Sequence, residues 1–88
     1  MPSGRISGGL ANARATYEAE IARGRSYIVS TLTPDSRNRA INEILLEFCS
    51  VYGDRELGLF QNLLSEDLQR RGEYDAASAV LGFKLPSP

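Results

Sequence analysis

Eighty-eight residues, 42% of them apolar, with 10 basic and 11 acidic side chains, make one small globular domain at most. The chain has a single cysteine and no histidine, so it lacks the commonest general base, the commonest metal ligand and the near-neutral pH switch. One cysteine also excludes an internal disulfide and a thiolate zinc cage, and the missing histidine excludes an HExxH metal centre.

Residues 1–9 are rich in serine, glycine and proline and lack the apolar run of a signal peptide, so they read as a flexible tail. A single helical domain is expected over 10–85, with Leu85-Pro86-Ser87-Pro88 opening a loose C-terminus at 86–88. No segment is continuously apolar for the length of a bilayer, which predicts no membrane span and a cytoplasmic protein.

Leu10, Ala13, Tyr17, Ile21, Gly24, Ile28 and Leu32 recur at steps of three and four. This predicts a first helix of roughly 22 residues with a narrow apolar stripe. Gly24 sits in that stripe and costs about 1 kcal/mol of helix propensity relative to alanine. Its position predicts close approach of a neighbouring helix rather than a kink.

Thr33-Pro34-Asp35 is a restart signal: a capping hydroxyl, a proline at the first helical position and an early carboxylate. The second helix runs from there to Gly53, with Ile41, Ile44, Leu45, Phe48, Cys49 and Tyr52 on one stripe. Asp54 is the expected cap of a third helix carrying Leu57, Leu59, Phe60, Leu63, Leu64 and Leu68 and closing at Arg70-Arg71-Gly72. A short fourth helix over about 74–81 would use Tyr74, Ala77, Val80 and Leu81, with Phe83 and Leu85 folding back on the core. The expected fold is an all-α bundle of three main helices and a short C-terminal one.

The apolar residues of the third helix spread over about 180°, and Leu46 lies about 100° from the centre of the second helix's stripe. A chain this short barely offsets its own conformational entropy, so these surplus leucines predict a partner. Leu46, Leu59 and Leu63 would form the contact in a homodimer or a complex with another protein. The alternative is that the fourth helix and the Phe83-Leu85 tail cover them.

Charge divides along the chain: residues 1–40 carry a net +3 and residues 41–88 a net −4, and nine of the ten basic residues are arginine. Arg23, Arg25, Arg37 and Arg39 would gather where Thr33-Pro34 turns the chain back, as a patch for an acidic partner or phosphate. Pairing of these arginines with Glu20, Asp35 and Glu43 is the competing expectation. Arg37 and Arg39 are the charged candidates for partner binding.

Three chemistries weigh little. Cys49 lies on a core-facing stripe without a histidine to activate it, which predicts a structural thiol. Glu43 and Glu47 share a helical face, but the di-metal pattern of helical bundles needs Glu-x-x-His motifs that this chain lacks. A helix-turn-helix centred on Gly53 would offer only Arg55, Gln61 and Asn62 to bases, with Glu56 facing phosphates. No catalytic, cofactor or metal site is predicted. The expected function is a non-enzymatic protein–protein interaction module: a small helical adaptor, assembly factor or inhibitor. The alternative is a small DNA-binding transcriptional or antitoxin-like regulator.

Overall fold

A computed structural model describes residues 14–85 of the chain. The tail expected at 1–9, Leu10 and Ala13 of the first stripe, and the C-terminal 86–88 lie outside the described residues. Within them the chain is all-α: α1 (Glu18–Val29), α2 (Pro34–Tyr52), a 3-10 turn (Asp54–Glu56), α3 (Leu57–Arg70) and α4 (Tyr74–Gly82). No helix among the described residues is long and apolar enough to cross a membrane.

The first helix is shorter than its stripe predicts. Residues 14–16 are helical, Tyr17 makes a turn, and α1 then runs only to Val29. Its end follows from side-chain chemistry. The Ser30 hydroxyl donates to the Tyr27 carbonyl at 2.8 Å and the Thr31 hydroxyl to the Ile28 carbonyl at 2.7 Å, in competition with continued backbone bonding. Thr33, which precedes proline, is extended at φ −129°, ψ 158°, as the proline ring requires. Leu32 therefore leaves the stripe and stands 94% exposed in the α1–α2 connection.

Gly24 does what its place in the stripe predicts. A Cβ there would sit 3.2 Å from Ile44 Cγ2 and 3.7 Å from Leu64 Cδ2, so the missing side chain brings α1 close to both α2 and α3. The restart also holds: the Thr33 hydroxyl accepts from the Ser36 amide at 3.0 Å, with Pro34 opening α2. Gly53 ends α2 at φ 94°, a conformation that favours glycine.

Asp54 begins the 3-10 turn instead of capping α3, which starts three residues later at Leu57. The end of α3 is a Schellman arrangement. The Glu73 amide donates to the Leu68 carbonyl at 2.9 Å and the Gly72 amide to the Gln69 carbonyl at 3.0 Å, with Gly72 at φ 80°.

The short α4 buries Ala76, Ala77 and Val80, while Tyr74 and Leu81, expected in its core stripe, face solvent. The small face wins because α4 is held against α3 by polar anchors as well as packing. The Ser65 hydroxyl donates to the Ala77 carbonyl at 3.1 Å. Gln61 Nε2 donates to the carbonyls of Val80 at 2.8 Å and Phe83 at 2.9 Å. Phe83 and Leu85 fold back against the core as expected.

The core joins all four helices. Phe48 of α2 and Phe60 of α3 stack at 4.1 Å between ring centroids, and Tyr17 meets Phe48, Tyr52 and Phe60 edge-on at 5.1, 5.0 and 6.3 Å. The Tyr17 hydroxyl donates to Glu56 at 2.9 Å and that of Tyr52 to Glu20 at 2.7 Å, so the polar ends of both rings are satisfied.

Candidate functional site: an arginine-rimmed apolar surface at the α1–α2 connection

The predicted partner-binding residues do not come together. Leu63 is 3% exposed and belongs to the core, and Leu59 is half-buried against it. Leu63 lies about 160° around α3 from Gln61 and Ser65, which hold α4, and shares a side with Asp67, which Arg25 of α1 reaches, so it is buried on the α1 side of the helix. Leu46 is exposed. It shares a face of α2 with exposed Arg39, seven residues earlier, whereas Arg37 lies nine residues before Leu46 and so about 180° away around the helix.

The four-arginine patch is also divided. Arg23 and Arg25 lie on opposite sides of α1: Arg23 reaches Glu47 of α2 at 3.2 Å, and Arg25 reaches Asp67 of α3 at 2.7 Å. Neither partner is one of the carboxylates expected from sequence. Glu20 and Glu43 instead accept from tyrosines, the latter from the Tyr27 hydroxyl at 2.7 Å. The Glu43/Glu47 pair is thus split between a phenol and a guanidinium.

What the fold does assemble lies where α1 ends, α2 begins and the α3–α4 turn passes. Two adjoining grooves open there, sharing Val29 and Glu73. One, of about 480 Å³, runs between Arg25, Ser26 and Ser30 of the α1 end and Arg71 after α3. The other, of about 180 Å³, is lined by Ile28, Leu32, Pro34 and Arg37, with Thr31 and Thr33. Val29 and Leu32, both exposed, give the surface an apolar centre. Arginines stand around it.

The electrostatics of this rim are incomplete. Asp67 is taken by Arg25, and Arg71 reaches the same carboxylate only at 4.0 Å. Neither Arg37 nor Glu73 makes an ion pair among the described residues. Arg37 Nε is buried with no hydrogen-bond acceptor, the one such side-chain atom among the described residues. Buried N–H groups are nearly always paired, so this atom marks unmet bonding capacity.

Other candidate groups have their own structural employment. Cys49 is half-buried, and burial followed by the neighbouring Asp54 carboxylate pushes its thiol pKa up, away from the thiolate needed for nucleophilic work. Gln61, a candidate base reader, has its amide engaged by two α4 carbonyls.

Sequence reasoning did not find Val29, Leu32 and Arg71 as surface residues. The signal was present for Leu32: it lies two residues before proline, between two β-branched threonines. Periodicity alone placed it on the stripe.

Comparison with protein-family models, characterised proteins and solved structures finds no match to this chain. The functional reading therefore rests on the chemistry of its own surface.

Proposed function

We propose that this protein is a non-enzymatic protein–protein interaction module, a small helical adaptor, assembly factor or inhibitor. It docks a partner on the apolar surface centred on Val29 and Leu32. The supporting observation is Leu32, 94% exposed and continuous with Val29 through adjoining grooves, with Arg37 and Arg71 at the rim. An isolated exposed leucine is ordinary; an apolar centre with an arginine rim has the composition of an interface. Of the residues expected from sequence, Arg37 belongs to this surface. Leu46 and Arg39 offer a secondary contact on the outer face of α2.

Affinity capture of the tagged full chain from its host lysate, beside a Leu32→Asp variant, tests this reading. The expected result is a defined protein partner held by the wild type and lost by the variant. Recovery of nucleic acid in place of protein, or identical capture by both chains, overturns it.

A further inference from the structure

We propose that the occupant of this surface is an acidic peptide segment of a partner protein: an apolar residue seated on Val29 and Leu32, with carboxylates on either side reaching Arg37 and Arg71. The inference rests on the docking reading above and adds the chemistry of the ligand.

The argument is one of charge complementarity. Three arginines line the two grooves, and among the described residues the single carboxylate that engages any of them, Asp67, is occupied by Arg25. Arg71 is left at 4.0 Å from it, and Arg37 Nε has no acceptor and Arg37 no ion pair among the described residues. A guanidinium offers five donors that carboxylates match, so two arginines lining adjoining grooves favour carboxylate oxygens; Arg37 Nε is itself buried, which leaves the terminal Nη groups of that side chain to meet a ligand.

The apolar centre decides between a small anion and a peptide. A free phosphate or carboxylate satisfies the arginines but leaves Val29 and Leu32 in water. A peptide side chain covers them and brings its acids to the rim. Glu73, which lines both grooves, then constrains the pattern. Its carboxylate repels an acid placed at the centre and accepts a backbone N–H of the bound segment. The acids must flank the anchor, not replace it.

Panning a phage-displayed random peptide library against the full-length chain, followed by fluorescence-polarisation titration of synthesised hits, tests the proposal. Expected hits carry Leu, Ile or Phe flanked by Asp or Glu, and their binding weakens as salt rises from about 50 to about 500 mM. Arg37→Glu with Arg71→Glu should weaken them about tenfold or more, and Leu32→Asp should remove binding. Arg37 is half-buried, so Arg71→Glu alone, at an exposed side chain, keeps the test valid if the double variant misfolds.

Neutral or basic hits, or hits indifferent to the arginine reversals but lost with Leu32→Asp, overturn the acidic occupant while the docking surface stands. No enrichment, or hits indifferent to Leu32→Asp, overturn the docking surface itself. A dimer by light scattering that Leu32→Asp dissociates makes the occupant a second copy of this chain and also overturns the proposal.

Discussion

Where α1 begins and α2 stops, Tyr17, Phe48, Tyr52 and Phe60 close on one another, and the hydroxyls of both tyrosines end on carboxylates. Where α1 stops and α2 begins, Val29 and Leu32 face solvent, while Arg37 and Glu73 find no ion-pair partner among the described residues. The same three helices make both ends. At the first end the Tyr17, Phe48 and Phe60 rings are buried and both tyrosine hydroxyls are paired, as in a structural region. The second leaves both kinds of group open, which is the contrast on which the proposed docking role rests.

The largest expected effect tests the closed end. Phe60→Ala removes a fully buried ring that stacks on Phe48 and meets Tyr17, and should cost about 3–5 kcal/mol, read as a lowered denaturant midpoint. A cost below about 1 kcal/mol would mean the aromatic cluster does not hold the helices together. Next comes Gly24→Val, whose branched side chain enters a space where even a Cβ would be 3.2 Å from Ile44. It should cost about 1–3 kcal/mol. Gln61→Ala, expected to cost about 1–2 kcal/mol, takes the side-chain donor from the Val80 and Phe83 carbonyls, and amide exchange at the end of α4 should quicken before that of α3.

Alkaline pH probes the same end more gently, alongside Tyr27 near the other end of α1, whose phenol pKa is raised by its hydrogen bond to Glu43. Hydrogen bonding to Glu56 and Glu20 respectively, followed by burial, raises the phenol pKa values of Tyr17 and Tyr52 above the ordinary value of 10.0. The folded chain therefore keeps phenol protons that the unfolded chain has already lost. Stability from these groups is fully present below about pH 10 and is lost as pH rises through the folded-state values. Denaturant midpoints should fall above about pH 10, and the Tyr17→Phe, Tyr52→Phe double variant should flatten that fall. An unchanged pH slope in the double variant would assign the alkaline loss to other groups.

Legibility in the sequence divides by range of interaction and not by end. Helix class, the Thr33-Pro34 restart, the Gly53 and Gly72 stops and the Gly24 contact all follow from local rules: a cap, a proline ring, a left-handed residue, a missing Cβ. The covering of Leu63 does not. It depends on α1 packing along the side of α3 that Leu63 shares with Asp67, while α4 takes the Gln61 and Ser65 side, and a helical wheel carries no information on which neighbour arrives. Arginine pairing fails for the same reason: Arg25 finds Asp67, 42 residues away, rather than the nearer carboxylates that spacing suggests. Leu32 was misplaced because a periodic pattern was extended across residues whose hydroxyls end the helix.

The smallest expected effect on stability tests the open end most sharply. Leu32 buries almost nothing, so Leu32→Asp should change the denaturant midpoint by less than about 0.5 kcal/mol equivalent. Leu32 makes little packing contact within the described residues, so its replacement tests binding with little disturbance of the fold. A variant as stable as the wild type, and no less soluble, that loses partner capture would assign Leu32 to binding alone. A variant that unfolds would show that Leu32 is covered in solution by some part of this chain, and the contrast between the two ends would collapse.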